Sequence, residues 1–185
     1  MTTPPAADPS VAIVYESMFG NTRQVAEAIA DGLRPHLLVR LVPIAQATVV
    51  SADVDALIVG APTHAHGLSR PESRAEAVVW ARTEQKHLHL DDAFSESGVR
   101  EWLADEAPRP HRFAAFDTRV DMPRLFTGSA AAAIDHRLAK AGGERLSEPM
   151  SFLVDRDSRL EPGQLDRARE WGAELGAKLN AAAAG

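Results

Sequence analysis

The chain has 185 residues, 45% hydrophobic and 25% charged, with a formal net charge of -6 and no cysteine. These proportions exclude a wholly disordered or fibrous chain, and the missing thiols exclude disulfides, thiolate metal sites and thiol catalysis. The acidic balance, with no run of Lys and Arg, argues against nucleic acid, and no apolar run approaches the ~18 to 20 residues of a membrane-spanning helix.

In chain order, MTTPPAADPS (1–10) has neither a basic segment nor an apolar core. It reads as a flexible leader and not a secretion signal, followed by a single domain over 11–180, and the lack of thiols suits a reducing cytoplasm. VAIVY (11–15) is a short continuous apolar run, as expected of a strand covered on both faces. A helix follows, with Val25, Ala28, Ile29 and Leu33 on one face. LLVRLV (37–42) and ALIVG (56–60) read as the second and third strands.

Ser69 and Glu72 have the spacing of a capping box opening a helix around RAEAVVWAR, with Pro71 in its first turn. Residues 83–110 are polar and irregular, with one short helix, VREWLADE, and read as a surface connection. FAAF (113–116) is a fourth strand, TGSAAAAIDHRLAKAGG a helix closed by glycines, and MSFLV (150–154) a fifth strand. The last helix starts near Pro162, with Leu165, Ala168, Gly172, Leu175 and Leu179 along one stripe.

Strands alternating with helices imply parallel pairing and right-handed crossovers, hence an α/β fold: a three-layer, doubly wound, five-stranded parallel sheet. Ligands of such sheets sit outside the carboxyl ends of the strands. The segments to inspect are therefore 16–22, 61–69 and 117–128.

SMFGNT (17–22) has the chemistry of an anion site. Ser17, Asn21 and Thr22 supply donors without bulk, Gly20 lets the backbone approach a ligand, and the helix starting near Asn21 points unpaired amides back at the loop. Hydrogen bonds to a charged group contribute ~1.5 to 3 kcal/mol each against ~0.3 to 1 for the helix dipole, so local bonding dominates. There is no lysine of the GxxxxGK[ST] type and only one glycine, which separates the loop from two common phosphate motifs. The competing reading is that Asn21 or Thr22 simply caps the helix.

A Ser-x-x-Gly-Asn-Thr loop directly after the first strand of a five-unit α/β chain resembles the phosphate loop of the flavodoxin family, [Ser/Thr]-x-Thr-Gly-Asn-Thr. The match of element order spans about residues 11–180, whereas motif identity is confined to Ser17 through Thr22. The resemblance implies strand order 2-1-3-4-5, a bound flavin mononucleotide (FMN), and a phosphate role for Ser17, Met18, Phe19, Gly20, Asn21 and Thr22. Phe19 departs from the pattern, standing where the family has a hydroxyl.

Pro62, Thr63, His64, Ala65, His66 and Gly67 occupy the place of the second loop, beside the flavin ring, and Asp117, Thr118 and Arg119 border the third. Neither loop carries the tryptophan or tyrosine of many flavodoxins; Trp80, Trp102 and Trp171 fall in helices. His64 and His66 are the flat side chains available in the second loop, and Phe126 in the third. The pairs HAH (64–66) and HLH (87–89) lack a third metal ligand at fixed spacing, so no metal is expected. Arg119 either faces the ring or pairs with a surface carboxylate such as Asp121.

Three functions follow from this resemblance. The first is an FMN-binding electron carrier working with a redox partner protein. The second is a flavin-dependent reductase of small quinone-like or protoporphyrinogen-type substrates, with 83–110 shaping the pocket. The third is a binding module that keeps the anion site without flavin. No nucleophile, triad or paired acidic motif marks a catalytic residue.

Overall fold

The computed structural model describes residues 10–35, 37–49, 54–64, 66–83, 87–105 and 109–183. The chain runs β1 (Ser10–Tyr15), α1 (Asn21–Leu33), β2 (Leu38–Pro43), a short 3-10 turn (Ile44–Val49) and β3 (Ala56–His64). It continues through β4 (Gly67–Leu68), α2 (Pro71–Ala81), α3 (Val99–Asp105) and β5 (Arg112–Val120). The remainder is α4 (Arg124–Thr127), α5 (Ala130–Lys140), β6 (Glu144–Arg145), β7 (Met150–Val154) and α6 (Gln164–Ala183). Ser10, assigned to the leader from sequence, instead opens β1, where its N–H bonds Asp55 at 2.7 Å.

β1 pairs in parallel with β2 and β3, β3 with β5, and β5 with β7. Among the five strands expected from sequence, this is the order 2-1-3-4-5. The last edge is interrupted: β6 pairs with Arg112 and Phe113 at the start of β5, β7 with Phe116 to Val120 at its end.

Alternation along the buried strands separates two cores. Val11, Ile13, Tyr15 and Phe116 point towards α1 and α6, while Ala12, Val14, Leu57, Val59 and Ala115 point towards α3 and α5. Phe116, Phe152 and Trp171 meet edge to face at centroid separations of 6.2 to 6.4 Å, an arrangement that suits the ring quadrupoles. α1 and α6 approach almost backbone to backbone. A Cβ on Gly32 would lie 2.1 Å from the Arg169 carbonyl oxygen, and one on Gly172 would lie 2.3 Å from that of Ile29. Of the expected α6 stripe, Ala168, Gly172, Leu175 and Leu179 are buried, whereas Leu165 is 36% exposed.

The expected capping box at Ser69 and Glu72 does not form. Ser69 is fully buried and donates to Glu16; α2 starts at Pro71, and the Ser73 hydroxyl accepts the N–H of Arg70 at 3.3 Å. No helix among the described residues is long and apolar enough to cross a membrane.

Candidate functional site

The loop after β1 begins one residue beyond the strand, where the Glu16 N–H still reaches the Gly60 carbonyl at 3.0 Å. Ser17 and Met18 are buried, Phe19 is half-buried, and Gly20 takes φ 91°, the left-handed region that glycine enters freely. Gly20 is itself the N-cap of α1, and neither Asn21 nor Thr22 caps the helix through its side chain. The first helical bond is Gln24 N–H to Gly20 O, 3.0 Å, so the amides of Asn21, Thr22 and Arg23 have no carbonyl to meet within α1.

Side chains then divide the loop. The Ser17 hydroxyl accepts the Gly20 N–H at 3.1 Å and donates to Asp91 at 2.9 Å. The Asp91 carboxylate also takes Arg23 Nε at 3.0 Å and the Ala93 N–H at 2.8 Å, while its own N–H bonds the Met18 carbonyl. Ser17 and Gly20 thus bond inward, beneath the loop. Asn21 and Thr22 turn the other way: Asn21 Nδ2 donates to the Ser158 carbonyl at 2.7 Å, and the Thr22 and Thr118 hydroxyls are 2.8 Å apart.

Pro62, Thr63 and His64 are not in a loop. β3 runs on to His64 and folds back through β4, pairing Thr63 with Leu68 and His64 with Gly67. Ala65 lies outside the described residues. His66 is exposed at φ 73° and bridges to Gly128 on the third segment. The His64 imidazole lies 3.9 Å from a Glu76 oxygen, its ring centroid 6.1 Å from that of Trp80.

Asp117, Thr118 and Arg119 likewise belong to a strand, the final stretch of β5. Asp117 is fully buried, and one of its oxygens accepts Thr63 Oγ1 (2.9 Å), Ser129 Oγ (2.6 Å) and the Ala131 N–H (2.9 Å). It thereby fastens β3 to the start of α5. Arg119 makes no ion pair with Asp121 among the described residues; its Nη1 donates to the Met122 carbonyl, and its Nε is buried without a partner.

These strands and the loop enclose one cleft of about 220 Å³ at the carboxyl ends of β1, β3 and β5. Met18, Phe19, Asn21 and Thr22 form one wall, Pro62, Thr63 and His64 a second, and Thr118, Arg119 and Val120 a third. Trp80, Val154 and Ser158 complete it. Ser17, Gly20, His66, Gly67 and Asp117 do not line it, and neither does Phe126, which is 61% exposed. His87 and His89 are also exposed, and among the described residues no group of three or more His, Asp or Glu is placed to hold a metal.

The sequence reading missed four groups. Trp80 brings an indole to the cleft from a helix, and Ser158 brings a carbonyl from the β7–α6 connection. Asp91 reaches the first loop out of the irregular segment 87–98. Glu16, 2% exposed, accepts the Ser69 hydroxyl and the Val99 N–H at 2.9 Å, with Arg74 bonding Ser69 at 2.7 Å and Glu101 at 3.1 Å. Burial pushes the Glu16 carboxyl above the ordinary carboxylate range, against the lowering effect of these hydrogen bonds. The one advance signal was its position, a carboxylate between a fully buried strand and the loop.

Residues 12–73 match the family model described as Flavodoxin domain. The fold of this chain is flavodoxin-like. Its fold is similar to that of a flavodoxin from the domain Archaea, with 18% identity, a TM-score of 0.59, and coverage of 92% of this chain and 99% of that one. Flavodoxin 1 from Bacillus cereus is similar too (19% identity, TM-score 0.59, coverage 90% and 96%). The flavodoxin-like fold also spans 38% of rubredoxin oxygen:oxidoreductase from Desulfovibrio gigas (17% identity, TM-score 0.59, 96% of this chain). No curated protein matches the chain in sequence.

Proposed function

We propose that this chain is an FMN-binding electron-transfer protein, its residues 11–180 acting as one domain that passes electrons to a redox partner protein in a reducing cytoplasm. The observation that carries this reading is the convergence of three separate segments on one cleft at the carboxyl ends of β1, β3 and β5, where open sheets of this kind hold ligands.

The residues present fit the group. At one end of the cleft, Asn21 and Thr22 open α1 with unpaired amides suited to a phosphate. Met18, Pro62, Trp80, Val120 and Val154 give the apolar body that a flat ring system requires. The buried, unpartnered Nε of Arg119 is a donor lacking an acceptor, which a ring carbonyl would supply. His64, backed by Glu76 and tilted against Trp80, adds a second flat side chain at the same wall.

A flavin bound there supplies the redox chemistry; the chain's part is to anchor the phosphate, exclude water from the ring and set the charge beside it. Titration of the purified protein with FMN tests this: quenched flavin fluorescence and a perturbed visible spectrum are expected, and neither would be seen if the reading is wrong. Turnover of NADPH or a quinone by the isolated flavoprotein, without a protein partner, would move the assignment from carrier to reductase.

A further inference from the structure

Away from the cleft, three guanidiniums gather on the α3 and α5 side of the sheet. Arg70 precedes α2, Arg100 lies in the first turn of α3, and Arg137 in the last turn of α5. Arg100 donates from Nε to the Ser69 carbonyl at 2.8 Å and from Nη2 to that of Leu68, beside Arg70, while Arg137 Nη1 donates to the Arg100 carbonyl at 3.0 Å. Bonds to neutral carbonyls fix two of the cations in place and leave their charge unanswered.

Among the described residues, none of the three forms an ion pair. The carboxylate beside Arg100 in sequence, Glu101, is already held by Arg74 at 3.1 Å. Burial, then the charges of Arg137 and Arg70, hold the Arg100 guanidinium below its ordinary range, so the group is crowded with like charge. A chain with 26 acidic and 20 basic side chains has carboxylates to spare, yet it gathers these cations without pairing one. Arg70 is exposed and the other two are half-buried, which leaves the group open at the surface. It stands behind the cleft's second wall, because β4, whose Leu68 carbonyl Arg100 holds, folds back on Thr63 and His64.

The planar fork of a guanidinium matches a carboxylate through two parallel hydrogen bonds. A nucleic-acid strand needs a longer basic stripe, which Glu72 and Glu101 interrupt here. We propose that Arg70, Arg100 and Arg137 form a docking surface for an acidic protein partner, whose Asp and Glu side chains supply the carboxylates that this chain withholds. The surface is independent of what the cleft holds.

The test titrates the full-length chain into a fluorescein-labelled glutamate peptide of about ten residues, followed by anisotropy, with a labelled oligothymidylate as the rival polyanion. Peptide binding is expected, weakening as ionic strength rises from about 0.05 to about 0.5 M. Arg70→Glu should weaken it about fivefold or more and Arg137→Gln about threefold or more. Arg169→Glu makes the same charge change as Arg70→Glu on α6, across the sheet, and should stay within about twofold. Arg70→Glu sets a carboxylate at the start of α2, where the helix dipole favours it, so its thermal midpoint should hold. No peptide binding, tighter binding of the oligothymidylate, or an equal loss in Arg169→Glu would overturn the proposal.

Discussion

The carboxylate of Asp91 accepts the hydroxyl of Ser17 at 2.9 Å, joining two residues 74 positions apart. This bond, with those to Arg23 and Ala93, makes the irregular segment before α3 part of the first loop's support. Asp91→Ala leaves the buried Ser17 hydroxyl without its acceptor and should cost about 1–3 kcal/mol, read as a shift of the urea midpoint. Arg23→Ala should cost under about 1 kcal/mol, because that side chain is 37% exposed and solvent screens the pair. An unchanged midpoint in Asp91→Ala would show that the backbone bond to Met18 alone holds the segment.

Glu16 makes stability fall as pH rises. Its folded-state carboxyl titrates above its unfolded value because burial disfavours the charge. Its contribution is therefore complete below the ordinary carboxylate range and is lost as pH climbs through the raised folded value, beyond which it is constant. Glu16→Gln should remove this slope. Urea unfolding of both proteins between pH 4 and pH 8, on the order of one measurement per pH unit, should show the wild type losing ground to the variant over that window. Parallel curves would sink the prediction.

Three glycines at the α1–α6 contact separate crowding from helix propensity. Gly32→Ala and Gly172→Ala each drive a methyl into a carbonyl of the facing helix and should destabilise by about 1–3 kcal/mol despite alanine's better propensity. Gly176→Ala meets its nearest neighbours at 3.7 Å, an ordinary contact, and should be neutral or stabilising by up to about 1 kcal/mol. Thermal midpoints of the three variants decide whether close approach, rather than flexibility, selects glycine here.

On the proposed flavin reading, the phosphate end and the ring end of the cleft should be separable by mutation. Thr22→Val removes a hydroxyl beside the expected phosphate and should raise the FMN dissociation constant by about 10- to 100-fold, the equivalent of one hydrogen bond to a charged group. Trp80→Ala removes a flat partner from the ring and should raise it by roughly 2- to 13-fold, the equivalent of an aromatic contact. Fluorescence titration measures both; Trp80→Ala with wild-type affinity would place the ring elsewhere.

On the proposed flavin reading, Arg119 should bear on the redox potential. A guanidinium beside the ring stabilises the anionic reduced form, and a differential of about 1.4 kcal/mol corresponds to about 59 mV in a one-electron potential. Arg119→Met should lower the potential by this order, as measured by dye-equilibrated photoreduction. The same potential in both proteins would show that Arg119 serves only to tie down the Val120–Met122 turn.

The fold was legible because each covered strand is a continuous apolar run, and VAIVY, LLVRLV, ALIVG, FAAF and MSFLV all appear within a residue or two at their starts. β3 and β5 outrun those readings at their carboxyl ends. There Pro62 to His64 and Asp117 to Val120 keep the parallel ladder or a hairpin while carrying the polar side chains of the site, so hydropathy falls before the strand ends. β6 is two charged, exposed residues held by β5, and no apolar signal marks it. Of the site, the first segment could be read from its small donors and its place after β1. Trp80 and Asp91 could not, since a helical indole and a carboxylate in an irregular segment carry no local mark of where the fold will set them.

The glycine contact between α1 and α6 also orders the life of the chain on the ribosome. α1 is made well before α6, and besides the sheet it packs closely against that helix, which begins only at Gln164. Until that helix emerges, α1 can pack on the strands already made but lacks its close partner at Gly32 and Ile29, so this face of the sheet stays partly uncovered until residues 164–183 are made.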